Sequence, residues 1–160
     1  MIKQKTKKRS HYAAVALSVF MGAAFLVGAF MLIPGKVAAA EIVVYKSPTC
    51  GCCKKWVSHM RKNGFTVEVH EQYNVTPVKD KLGVPRRLRS CHTAKVDGYI
   101  VEGHVPADVV MRLLEEKPQI AGVAVPGMPM GSPGMEGFRK DPYDIISFTD
   151  TGKMGIFASR

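Results

Sequence analysis

Apolar and polar positions change rhythm several times along the chain, and each change marks an element. Tyr12 to Ile33 runs 22 residues without a charge. Beyond residue 40 the segments shorten. Glu41-Ile-Val-Val-Tyr-Lys46 is β-branched and aromatic, which predicts a strand in the middle of its sheet. Ser47-Pro48-Thr49 is a turn. From Cys53 to Asn63, Trp56, Val57 and Met60 follow the spacing of one helical face, and Asn63-Gly64 supplies the stop. Phe65 to His70 alternates and predicts a second strand. Thr76-Pro77 opens a short helix ending at Gly83.

Asp97-Gly98 sits between two alternating runs, Thr93 to Val96 and Tyr99 to Glu102, which predicts a two-residue hairpin. Val96 then pairs with Tyr99, and continuing outward Cys91 falls opposite His104. Val105-Pro106-Ala107-Asp108 starts a helix whose buried stripe is Val109, Val110, Leu113 and Leu114, and Lys117-Pro118 stops it. Ala121 to Gly137 is rich in Gly, Pro and Met and predicts an ordered loop. Ile145 to Phe148 and Met154 to Phe157, joined by Asp150-Thr-Gly152, predict a terminal hairpin. Trp56 fits a core anchor, and Met60 and Met111 fit helix core faces. His59 and His70 fit the surface, and Arg86-Arg87-Leu88-Arg89 fits a solvated loop.

Composition narrows the classes. With 46% hydrophobic and 22% charged residues, the chain is not a disordered tail, a collagen-like repeat or a polytopic membrane protein. The net charge of +10 is mostly local, because the first 40 residues hold six of the 23 basic residues and no acidic one, leaving +4 for the rest. No clustered basic face remains for nucleic acid.

Lys3 to Arg9, the apolar run and the small residues Ala38-Ala39-Ala40 have the layout of a secretory signal. The run is also long enough for an uncleaved anchor in the inner membrane. Either way residues 1–40 form a leader and 41–160 one exported domain. In a Gram-negative source that compartment is the periplasm, and only the leader touches the membrane.

All four cysteines, Cys50, Cys52, Cys53 and Cys91, lie in the exported part, three of them within four residues. A bridge between adjacent Cys52 and Cys53 is strained, and spacing alone gives Cys50 no long loop to close. The expectation is at most one long-range bridge, from Cys91 to one of the three. Cysteines at a helix head meet unpaired N–H groups and partial positive charge, both of which stabilise thiolate. Thiolate is the nucleophile of disulfide exchange and a strong ligand for soft metals such as Cu(I). A strand, then Cys50-Gly-Cys-Cys53, then a helix resembles the thioredoxin fold, with Cys50 and Cys53 as its CxxC pair. That resemblance implies a central mixed sheet flanked by helices. It also places the hairpin approach beside the CxxC turn, so Cys91, His104 and His92 join the site. Where thioredoxins carry a cis-proline this chain has Ser90-Cys91-His92-Thr93, a departure toward metal ligation. Met128, Met130 and Met135 lie in a Gly- and Pro-rich loop that forbids a helix. Met128 or Met130 is an additional thioether ligand or shield.

Cys50-Gly-Cys-Cys53, Ser90-Cys-His-Thr-Ala94, Glu102-Gly-His-Val-Pro-Ala107 and Ala124-Val-Pro-Gly-Met-Pro-Met-Gly-Ser-Pro-Gly-Met-Glu136 resemble the motifs of the CopG-type copper-resistance proteins. The resemblance spans nearly all of residues 41–160. It implies a thioredoxin-like periplasmic protein that binds copper through cysteine as a multinuclear Cu(I) cluster, in association with copper export and other periplasmic copper proteins. By motif match Cys50, Cys52, Cys53, Cys91 and His104 carry over as metal ligands, with Met128 and Met130 after them. Redox handling between Cu(I) and Cu(II), as a copper-linked oxidoreductase, is a further implication. Two other functions fit part of the pattern. A thiol–disulfide oxidoreductase would use Cys50 to attack and Cys53 to resolve, and a structural zinc module would use the Cys and His ligands. Neither needs Cys52, Cys91 and the methionine loop together. Copper, with more than one ion per chain, accounts for all three.

Overall fold

A computed structural model of the chain describes residues 40–160. The predicted leader lies outside the described residues up to position 39. Among the described residues no helix is long and apolar enough to cross a membrane.

Seven strands form one mixed sheet: β1 (Glu41–Lys46), β2 (Thr66–Glu71), β3 (His92–Val96), β4 (Tyr99–Gly103), β5 (Gly122–Val125), β6 (Asp144–Phe148) and β7 (Met154–Ser159), in the order β2-β1-β3-β4-β5-β6-β7. The β1/β2 and β4/β5 pairs are parallel and the other four antiparallel. The helices are α1 (Gly51–Lys62), α2 (Thr76–Lys81) and α3 (Ala107–Glu116), with a 3-10 turn at Arg86–Leu88. β1 is internal, as its apolar run predicts. The central hairpin keeps its predicted register, from Val96 opposite Tyr99 to Thr93 opposite Glu102. Asp97 and Gly98 both take positive φ, the geometry a two-residue turn requires.

Strand alternation sorts side chains onto two faces. On one, Ile42, Val44, Ala94, Val96, Val101, Val123 and Val125 pack against Trp56, Val57 and Met60 of α1 and Val109, Val110 and Leu113 of α3. Burying each such Val, Leu, Ile or Met side chain is worth roughly 1.5–3 kcal/mol. On the other, Ile100, Ala124 and Phe148 meet Val84 and Leu88. Helix α2 also lies on this second face, where Lys79 reaches Thr93 and Glu102.

Four expectations need correction. Gly122–Val125 is a strand, not part of a loop. All four of its residues are buried, and a parallel strand covered on both faces reads as a short apolar run without alternation. Met111 is 39% exposed, so it lies off the core face. His59 is half-buried, and its Nε2 accepts the Ala107 backbone N–H at the head of α3. The Arg86–Leu88 segment is not simply solvated: Leu88 is buried and Arg89 donates to the Val84 carbonyl.

Candidate metal centre

Cys50 is the N-cap of α1 and its Sγ accepts the Cys53 backbone N–H. The turn after β1 thus delivers three cysteines at one helix head. The open end of the β3–β4 hairpin delivers the fourth. β3 pairs with β1, so Ser90-Cys91 passes directly beside the α1 head. The sulfurs of Cys50, Cys52, Cys53 and Cys91 all lie within 4.8 Å of one another. Cys52 occupies the middle, its Sγ 3.4 Å from that of Cys50 and 3.9 Å from that of Cys91.

The bridge present is Cys50–Cys53, while Cys52 and Cys91 are free thiols. The bridge joins the two cysteines of the CxxC pair, and the one long-range bridge that the spacing allows, from Cys91, is not formed. The helical turn folds Cys53 back onto Cys50, a proximity that linear spacing does not convey.

His104 approaches as the hairpin register implies, with Nε2 2.9 Å from Cys91 Sγ. Its Nδ1 is 2.8 Å from the Pro133 carbonyl oxygen, which can only accept. The proton therefore sits on Nδ1, and Nε2 presents a lone pair to the Cys91 thiol. Burial lowers the pKa of His104, which keeps the ring neutral. Burial, and then the neighbouring Cys52, push Cys91 up to about 12. At neutral pH Cys91 is a thiol donating to His104 rather than a free thiolate.

His92 is fully buried between two rings, 4.5 Å from the Trp56 centroid and 5.0 Å from that of His104. Burial, then the nearby His104, hold its pKa well below the usual imidazole range. Its Nδ1 lies 3.4 Å from Cys91 Sγ, and its Nε2 is buried without a hydrogen-bond partner. Cys91, His92 and His104 form a second ligand group sharing Cys91 with the first.

The methionine loop meets this centre through its backbone. Pro133 anchors His104, and Gly134 lies so close that a Cβ there would sit 2.6 Å from the Cys52 carbonyl oxygen and 3.0 Å from the Trp56 nitrogen. Met128 is 41% exposed, and the Met130 sulfur packs against Gly137.

One group of residues escapes the sequence reading. Glu102 is fully buried, and its Oε1 accepts from Lys79 Nζ and from the Ser90 N–H, each at 2.6 Å. Its Oε2 accepts from the Thr93 hydroxyl at 2.5 Å. The carboxylate therefore holds the chain on both sides of Cys91-His92, through the Ser90 N–H and the Thr93 hydroxyl. The available signal was an acidic residue inside the apolar run from Ile100 to Val105.

Comparison with known proteins agrees with this geometry. A family model described as a protein of unknown function, DUF411, matches residues 88–135, which include Cys91, His104 and the methionine loop. Two solved structures of a copper resistance protein CopG, forms 1 and 2, superpose with TM-scores of 0.72 and 0.73. Each is 45% identical and covers 76% of this chain and 98% of the solved one. No curated protein matches the chain. Similarity of that degree, over almost the whole of those structures, places the chain in the CopG family of copper resistance proteins.

Proposed function

We propose that this chain binds Cu(I) in the periplasm as part of copper resistance, holding more than one ion through Cys50, Cys52, Cys53, Cys91 and His104. The observation that carries this reading is the gathering of four sulfurs from two distant stretches of chain within 4.8 Å. Copper is the cargo here. The donor set fits it: thiolate is a soft donor that suits Cu(I), each thiolate can bridge two ions, and neutral imidazole adds a nitrogen. Met128, which is 41% exposed, and Met130, whose sulfur packs against Gly137, would add thioethers only after their side chains turn toward the centre. The strand–CxxC–helix unit, the β3–β4 hairpin and α3 make up a thioredoxin-like frame, with β5 to β7 extending it. The leader exports the domain, as a cleaved signal or an inner-membrane anchor, and copper export proteins are the natural partners.

The Cys50–Cys53 bridge favours one refinement, redox handling. Opening it takes up two electrons and two protons and yields two thiols for ligation. Run the other way, the dithiol gives one electron to each of two Cu(II) ions, releasing two protons and two Cu(I). The same bridge supports a second reading, a thiol–disulfide oxidoreductase in which Cys50 attacks and Cys53 resolves.

The test is anaerobic Cu(I) titration of the reduced protein against a chromophoric chelator. More than one Cu(I) per chain is expected, with fewer for Cys53→Ser and for Cys91→Ser. One zinc with no Cu(I) uptake would refute the proposal and favour a structural zinc site. Rapid metal-free insulin reduction, unaffected by Cys91→Ser, would favour the oxidoreductase.

A further inference from the structure

With Cys50 and Cys53 joined, the two remaining thiols face each other. Cys52 and Cys91 are 39 residues apart in sequence, yet their sulfurs are in contact at 3.9 Å. Both are half-buried and within reach of a small oxidant, whereas Cys53 is fully buried. Closing the gap to the bond length of about 2.05 Å asks for side-chain rotation of under about 2 Å. A proton acceptor is in place, since His104 Nε2 lies 2.9 Å from Cys91 Sγ with its own proton held on Nδ1 by Pro133.

We propose that Cys52 and Cys91 form a second dithiol–disulfide couple, so that the fully oxidised chain holds two disulfides and no free thiol. The couple stands on the 3.9 Å contact, and its role as a redox gate rests on the copper reading of the same site. The oxidant is a small-molecule disulfide. The Cys52 thiolate attacks one of its sulfurs, forming a mixed disulfide and expelling one thiolate, which takes up the proton Cys52 lost. Cys91 then passes its proton to His104 and attacks Cys52 Sγ. The second thiolate leaves and collects that proton. One external disulfide becomes two thiols, and the protein loses two hydrogens.

The functional consequence is a two-stage lock. The first bridge removes Cys50 and Cys53 as ligands, and the second removes Cys52 and Cys91. It also ties the α1 head to the β3–β4 hairpin. Full opening requires four electrons and four protons, so uptake of Cu(I) depends on the thiol reductants of the compartment.

The test uses the full chain, reduced and metal-free, exposed anaerobically to increasing oxidised glutathione. Free thiols are then labelled with maleimide in denaturant and counted by intact mass. The label count is expected to fall from four to two to none, with the chain monomeric. A Cys50→Ser/Cys53→Ser variant, which retains only Cys52 and Cys91, is expected to go from two labels to none. Cu(I) uptake is expected to vanish in the fully oxidised chain and return on reduction. A wild-type count that stops at two overturns the couple, as does a double variant that keeps both labels or forms only dimers. Cu(I) titration of the fully reduced chain runs in parallel. No uptake there, with the second bridge still forming, refutes the copper reading and leaves the couple standing.

Discussion

Cys91 and His104 show how single residues set the chemistry. A thiol with a pKa of about 12 binds metal only by losing its proton to solvent, because the neutral imidazole at 2.9 Å needs its Nε2 lone pair to ligate. Between pH 6 and 8 the thiol is protonated throughout, so lower pH favours the proton over the metal. Cu(I) affinity at this ligand is expected to fall about tenfold per pH unit for each proton displaced. Competition titrations at three pH values check this, and Cys91→Ser is expected to flatten the slope by one proton.

At the scale of elements, the open end of the β3–β4 hairpin depends on a helix from the opposite face. Lys79 of α2 and Glu102 of β4 are a buried ion pair, 4% and 0% exposed at their side chains. Glu102→Gln leaves the Lys79 charge uncompensated and is expected to destabilise the protein by about 3–5 kcal/mol, measured by denaturant unfolding. Replacing both residues with apolar ones of similar volume is expected to recover much of that loss. The methionine loop is a second such element. Gly134 has φ +88°, and a Cβ there would strike the Cys52 carbonyl. Gly134→Ala is expected to lower stability by about 1–3 kcal/mol and to weaken Cu(I) binding, because moving the loop takes the Pro133 carbonyl from His104. Thermal melts and chelator competition measure the two effects.

For the whole molecule, the centre joins the α1 head to the hairpin, so ligand binding couples to global stability. At free Cu(I) one hundred times the Kd, the reduced chain is expected to gain about 2.7 kcal/mol, seen as a raised melting temperature that a chelator reverses. The metal-free chain has an acid weakness. His59, His92 and His104 all have pKa values lowered by burial from the usual 6.5. The unfolded chain then binds more protons, so stability is present above pH 6.5 and is lost as pH falls below it. Glu102, raised by burial, works in the opposite sense. Unfolding free energies at pH 7 and pH 5.5 check the sign, and His92→Gln is expected to reduce the difference.

The sequence by itself determined the local elements, because hairpin turns, helix caps and alternation are rules over a few residues. It also determined which ligand types are present. The Asp97-Gly98 turn carried the argument furthest, since a two-residue turn fixes register and register set Cys91 opposite His104. Tertiary structure alone decided the rest. β5 has no alternation to reveal it, and a parallel neighbour is chosen by packing. The meeting of Cys52 with Cys91 depended on β3 packing beside β1. Glu102 could be interpreted only after α2 brought Lys79 across the sheet. Contacts between stretches far apart in the chain arise when the elements pack, and the clamp behind Cys91 is made of such contacts.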